Sequence, residues 1–277
     1  MKLARGEFEI MAKFIKEISG ISLEQNKTYL IESRLSELAE SEGVKTFSDF
    51  FFKAKFNKTL KEKIIDAIST NETSFFRDKT PFDAMKYKVI PDLIDSKTSG
   101  NIRGTIPSIK IWSAACSSGQ EPYSIAMILM DMLPDIHNKW NITIVATDIS
   151  DKIIRKASVG NFSDFELGRG LPGNFRDKYF INKNGSWHIN DRVRSLVKFQ
   201  KINLLEPFRG LGNFDIVFCR NVAIYFDPET KKKLFDRIAE VVTGNGYLFI
   251  GSTETLLGVS DKFISKNYLR AIFYQLK

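Results

Sequence analysis

Cysteine and histidine are scarce: Cys116 and Cys219 stand far apart in the chain, and His137 and His188 are the only histidines. One disulfide at most could form, no zinc-ligand spacing occurs, and both thiols read as small, reduced, buried residues. Two isolated histidines argue against a histidine-built metal centre, so metal-free chemistry is expected. No apolar run approaches the roughly 20 residues that cross a bilayer. The opening MKLARGEFEIMAKFIKEISG mixes charges with apolar residues where a signal peptide carries an apolar block. A cytoplasmic protein without membrane insertion is expected. Two phosphate-binding signatures are also missing from the small-residue stretch at 113–119, the dinucleotide fingerprint G-x-G-x-x-G and the phosphate loop G-x-x-x-x-G-K-[ST].

What is present is a chain of 277 residues with 43% hydrophobic content, enough for a full core arranged as a larger domain with a smaller companion. A net charge of +8 and a pI near 9.3 favour an acidic partner: nucleic acid, an anionic membrane surface or a glutamate-rich protein. Residues 1–70 read as short helices. Phe8, Met11, Phe14, Ile15 and Ile18 recur at helical spacing before Gly20, a second amphipathic segment runs from about Glu24 to Glu40, and Leu60, Ile64, Ile65 and Ile68 form a third stripe. Lysines 53, 55, 58, 61 and 63 surround that stripe, either as a solvated face or as a docking surface for an acidic partner.

From about residue 109 short apolar strands alternate with helices, the pattern of a mostly parallel sheet covered on both faces. IKIWSA, ITIVATD, VKFQKIN, FDIVFC and YLFIGS are the strands, EPYSIAMILMDML and DKIIRKA are helices, and a further helix runs from about Pro228 to Val242 with Asp227 as its N-cap. LRAIFYQL is expected to return as an antiparallel edge strand. Residues 160 to 195 interrupt the alternation as an inserted small β element, in which Asn184-Gly185 signals a hairpin and WHINDRV an alternating run.

Ligands of open parallel sheets sit at the carboxyl ends of the strands. The first strand leads there into Ala114, Ala115, Cys116, Ser117, Ser118 and Gly119, small residues that admit a ligand to the backbone, followed by Glu121, which would repel a pyrophosphate. The second strand ends in Asp148, whose carboxylate suits a ribose diol. A nucleoside with a cationic rather than a phosphorylated end reconciles these features, and S-adenosylmethionine has that make-up. The plainer alternative makes Glu121 an acidic residue in a first helical turn, favoured by the macrodipole.

NETSFFRD (71–78), SAACSSGQEPYSIAM (113–127), ATD (146–148), NLL (203–205) and FCRNVAIYFD (218–227) together resemble the chemotaxis protein methyltransferases, the CheR family, over residues 7 to 275. The resemblance implies a helical domain over residues 1–70 and an α/β, Rossmann-like methyltransferase domain over 71–277 with an antiparallel β subdomain inserted at about 160–195. It implies S-adenosylmethionine as cofactor, S-adenosylhomocysteine as product, and methylation of glutamates in the cytoplasmic helical region of chemoreceptors. Carried onto matching positions, it puts the cofactor contacts at Asn71, Thr73, Arg77, Glu121, Asp148, Asn203, Leu204, Asn221 and Val222.

Arg77 and Tyr225 are the candidate catalytic residues, Arg77 aiming a substrate carboxylate or else anchoring the cofactor's own. Rival roles exist for several of them: helix caps for Asn71, Thr73 and Asp148, an ordinary turn for Asn203, and core packing for Tyr225. Phe75 and Phe76 read as core. Gln120 and Cys116 depart from common family residues, so neither is given a catalytic role. In some relatives the inserted element grips a receptor-tail peptide through a longer glycine-containing loop; the short YFINKNGSWHIN argues against that tether here. A nucleic-acid methyltransferase is the rival enzyme, but N-P-P-Y and D-P-P-Y segments are missing. A cofactor-sensing module without transferase activity is the non-enzyme rival.

Overall fold

A computed structural model describes residues 1–99, 106–133 and 135–277. Four helices open the chain: α1 (Glu7–Ser19), α2 (Thr28–Ser41), α3 (Phe47–Lys55) and α4 (Lys58–Ile68). Their apolar stripes meet in one cluster of Met11, Phe14, Ile15, Ile31, Leu35, Phe47, Phe50, Leu60 and Ile64. Each such side chain contributes roughly 1.5–3 kcal/mol on full burial. Capping sets the boundaries. Gly20 closes α1 at φ 79°, Thr46 accepts the Asp49 N–H at the start of α3, and Asn57 accepts that of Leu60 at the start of α4.

A helical stretch without a counterpart in the sequence reading follows, α5 (Thr80–Ala84) and α6 (Ile90–Ser99) joined through a π turn at Met85–Val89. Then come β1 (Ser108–Ala114), α7 (Gln120–Met132), α8 (Ile136–Lys139), β2 (Asn141–Asp148) and α9 (Asp151–Val159). The insertion holds β3 (Asn161–Phe162), α10 (Asp164–Gly168), α11 (Gly173–Tyr179), β4 (Phe180–Lys183), β5 (Ser186–Ile189) and α12 (Asp191–Arg194). The sheet resumes with β6 (Val197–Lys201) and β7 (Phe214–Cys219), and ends through α13 (Pro228–Val241), β8 (Val242–Ile250), β9 (Phe263–Tyr268) and β10 (Ala271–Leu276).

The seven-stranded sheet has the order β6-β2-β1-β7-β8-β10-β9, parallel from β6 to β8. Strand β7 is buried at every position, the signature of a central strand covered on both faces. The chain builds outward from β1 through β2 to β6, then crosses to β7 and β8 on the other side. That reversal leaves a crevice outside the carboxyl ends of β1 and β7.

Two expectations need correction, and a third is extended. LRAIFYQL supplies β10, which is antiparallel but lies between β8 and β9, so the edge is β9. WHINDRV is not one strand: β5 stops at Ile189, and Asn190 caps α12 by accepting the Val193 N–H. The insertion pairs as a three-stranded antiparallel sheet, β3-β5-β4, but it also carries three short helices. The Asn184-Gly185 hairpin forms as read, with φ of 54° and 79°.

Candidate functional site

All the candidate site residues line one cleft at the crevice between β1 and β7, together with Ser19, Ile21, Ser69 and Thr70 of the helical segment. It encloses about 930 Å³ of space, open solvent at its mouth included. The turn after β1 has one glycine but three left-handed residues: Ala115 at φ 58°, Ser117 at 49° and Gly119 at 97°. For an L-residue that conformation costs about 1–2 kcal/mol. Tertiary bonds hold it. Cys116 donates its N–H to the Thr147 carbonyl at 2.8 Å, Ser117 donates its N–H to Asp148 Oδ2 at 2.9 Å, and Ser117 Oγ donates to the Asn71 carbonyl at 3.1 Å.

Asp148 ends β2, buried, and its Oδ1 accepts the Ser150 N–H at 3.1 Å. Burial pushes its carboxyl pKa up, against the backbone N–H groups of Ser150, Ser117 and Ile149, which lower it. It is not the cap of α9, because Ser150 does that by accepting the Ile153 N–H. Cys116 lies beneath the turn. Burial pushes its thiol pKa well up, and Asp148 and Glu121 add to the effect, so it is no nucleophile at neutral pH.

Glu121 lies in the first turn of α7 and is held from two sides. Ser113 Oγ donates to its Oε1 at 2.7 Å, and Arg220 Nη1 bonds its Oε2 at 2.9 Å. Arg220 escaped the sequence reading, although it lies inside the quoted FCRNVAIYFD. Its side chain is 1% exposed, and Nη2 reaches Asp78 Oδ2 at 2.9 Å and the Arg77 carbonyl at 2.8 Å. The guanidinium also sits over the Phe82 ring. One buried cation thus ties β7, the first turn of α7 and the 71–78 segment together. An arginine directly after the apolar run Ile216–Cys219 was the available signal.

Arg77 itself donates to the Glu72 carbonyl at 3.0 Å and has no carboxylate partner among the described residues, whereas Arg220 is paired twice. Asn71 and Thr73 cap nothing, since α4 closes at Ile68 and α5 opens at Thr80. Phe75 is core, packed edge-on against Phe162 and Phe180, while Phe76 packs on Phe82 and Phe175.

Asn203 is both cleft wall and turn residue: Oδ1 accepts the Leu205 N–H at 3.0 Å and Nδ2 donates to the Ile18 carbonyl at 3.0 Å. Leu204 is buried beside it, its carbonyl accepting from Arg237 Nη2 at 2.7 Å. Asn221 takes φ 56°, Val222 follows, and a 3-10 turn at Ala223–Tyr225 brings Tyr225 to the wall, where its carbonyl accepts the Ser22 N–H at 2.8 Å. Glu254 was also missed; its carboxylate accepts the backbone N–H of Asn221, Ile224 and Gly251.

Against family models, residues 6–69 match the all-alpha domain of the CheR methyltransferases and residues 71–271 match their SAM binding domain. The chain belongs to the CheR methyltransferase family. It is 38% identical over 286 residues to chemotaxis protein methyltransferase 1 of Pseudomonas aeruginosa, covering 100% of both chains. It is 39% identical to chemotaxis protein methyltransferase Cher2 of Pseudomonas putida, with 98% of each covered. It is 37% identical to the chemotaxis protein methyltransferase of Vibrio parahaemolyticus, with 98% and 97% covered. As a CheR methyltransferase the chain is an S-adenosylmethionine-dependent enzyme. The cleft fits that cofactor: Asp148 meets the needs of a ribose diol, Ile149, Ile202 and Leu204 offer apolar surface for a base, and Arg77 is a cation available to a carboxylate.

Proposed function

We propose that this CheR methyltransferase acts in the cytoplasm and esterifies glutamate side chains in the helical methylation region of chemoreceptors. The carrying observation is the contrast between the two arginines of the cleft. Arg220 is neutralised by Glu121 and Asp78, whereas Arg77 faces no carboxylate among the described residues and remains available to one brought by a ligand. S-adenosylmethionine supplies a methyl group activated by its sulfonium, and a glutamate of pKa about 4.3 is already an anion at neutral pH, so no general base is needed.

The chain's own residues then act by holding two reactants in line, an effect worth up to about 7–11 kcal/mol. Asp148 accepts hydroxyls of the ribose, Asn203 and Leu204 flank the nucleoside, and Asn71, Thr73, Glu121, Asn221 and Val222 frame the amino-acid end. Arg77 receives a carboxylate through its planar fork. Tyr225 sets its hydroxyl at the departing methyl.

The acceptor is steered by a basic face. Arg34, a candidate for that face, instead donates to the Ile68 and Ser69 carbonyls, and Lys53 and Lys63 both pair with Glu42. Lys27, Lys55, Lys58 and Lys61 have no ion pair among the described residues and are left to attract acidic helices. The two-residue turn between β4 and β5 keeps that connection short, which argues against a receptor-tail tether. Incubation with methyl-labelled cofactor and receptor-bearing membranes is expected to leave label on receptor protein and to release it as methanol in mild alkali. Alkali-stable label, or label in nucleic acid, would overturn the reading.

A further inference from the structure

Three backbone N–H groups converge on Glu254: Asn221 at 2.8 Å and Gly251 at 2.6 Å on Oε2, and Ile224 at 3.1 Å on Oε1. Two of the donors belong to the turn that carries Asn221, Val222 and Tyr225, which precedes Glu254 by about thirty residues and is joined to it across β8. Asn221 stands at φ 56°, a conformation unfavourable to an L-residue unless its surroundings impose it. Bonds from N–H to a carboxylate are about twice as strong as neutral ones, and here they fall on either side of the residue pair assigned to the cofactor. The approach is close. A Cβ on Gly251 would lie 2.6 Å from Glu254 Oε2, 2.8 Å from Asn221 Nδ2 and 3.0 Å from the Asn221 nitrogen. Gly251 has no left-handed φ, so the demand for glycine there is one of space.

We infer that Glu254 is a positioning residue for methyl transfer: its carboxylate holds Asn221 in the left-handed conformation and fixes the turn from Asn221 to Tyr225 against the cofactor. It touches no reactant itself. The inference rests on the assignment of Asn221 and Val222 as cofactor contacts, and therefore on the site reading above.

Calorimetry with S-adenosylhomocysteine tests it without a methyl acceptor, so the result is independent of which protein is methylated. Glu254→Gln keeps the shape but turns an amide N–H toward at least one backbone N–H. It is expected to weaken binding about tenfold, the size of one lost bond to a charged acceptor, and to raise KM for S-adenosylmethionine by the same factor. The melting temperature should fall by no more than about 4 °C, because the bond lost is a single one at a half-buried loop residue. A purely structural role would do the reverse, lowering the melting temperature while leaving affinity intact, and that result overturns the inference.

Gly251→Ala is the second variant, since its methyl pushes Glu254 and Asn221 apart without altering charge; it should reproduce the affinity loss. Asn221→Ala separates the two levels of the argument. If it weakens binding while Glu254→Gln and Gly251→Ala do not, Glu254 has no positioning role and the site assignment stands. If none of the three weakens binding, the assignment of Asn221 falls and the inference falls with it.

Discussion

Ala115, Ser117 and Asn221 hold left-handed backbone on the walls of one cleft, and Phe76, Asp78 and Lys79 do so in the segment that Arg220 ties to it. Such conformations survive only where neighbours over-determine them, as the Thr147 carbonyl, Asp148 and Glu254 do here. Single side chains can therefore be tested within a rigid frame. Tyr225→Phe should lower turnover about tenfold with S-adenosylhomocysteine affinity unchanged, as expected for loss of one hydroxyl contact; isotherms and single-turnover rates measured together decide it. Arg77→Ala should lower kcat/KM by about 10- to 100-fold. An accompanying loss of S-adenosylhomocysteine affinity assigns the guanidinium to the cofactor's carboxylate, and intact affinity assigns it to the acceptor's.

Asp148 gives a pH signature. Its folded pKa lies above the ordinary value of 3.8 because it is buried. The ionised form is thus penalised in the native state above the raised pKa, and that penalty is relieved as pH falls through the raised value toward 3.8. If Asp148 accepts the ribose hydroxyls in its ionised form, as proposed, affinity should fall over the same window in which the fold is relieved. Asp148→Asn should flatten the acid limb of a titration of S-adenosylhomocysteine affinity.

At the scale of elements, the insertion is joined to the 71–78 segment. Gly170 packs on the Phe75 carbonyl so tightly that a Cβ would lie 2.2 Å from it, and Gly170 has φ 91°. Arg169 also pairs with Glu72 at 3.3 Å. Gly170→Ala should destabilise the fold by about 2 kcal/mol or more and weaken cofactor binding, read by thermal unfolding with and without S-adenosylhomocysteine. Legibility differed between elements for physical reasons. Strands β1, β2 and β7 centre on apolar residues, Ile111-Trp112, Ile144-Val145-Ala146 and Ile216-Val217-Phe218, and Asn184-Gly185 is the residue pair a two-residue hairpin favours. Strand β9 was hidden because Ile264, Ser265, Lys266 and Asn267 are all exposed, and its turn to β10 uses Leu269 and Arg270 at φ 46° and 65°, residues with no turn signature. Within the site, small residues and carboxylates at strand ends were readable. Arg220 and Glu254 were not, because their partners come from distant segments that only the fold brings together.

At the scale of the whole molecule, the basic face adjoins the cleft: Lys58 and Lys61 line a groove with Ile149, Ile202 and Asn203, which also line the cleft. Lysines 55, 58 and 61, without an ion pair among the described residues, lie on α3 and α4, and Asp148, Arg77 and Tyr225 lie in the cleft. Reversing the three lysines to glutamate should raise KM for receptor membranes severalfold and leave S-adenosylhomocysteine affinity unchanged. The wild-type advantage should fade with added salt, since exposed charges are screened over about 8 Å at physiological ionic strength. A triple variant as active as wild type at low salt would remove this face from acceptor capture.

The seam between helices and sheet has its own consequence. Ser22 donates to the Tyr225 carbonyl, Asn203 to the Ile18 carbonyl, and Lys16 pairs with Asp227, the cap of α13. The first seventy residues are therefore no interchangeable cassette. A chimera that borrowed them from a relative to redirect targeting would also re-seat the tyrosine turn, and retargeted variants would need compensating changes along this seam before their turnover could be compared.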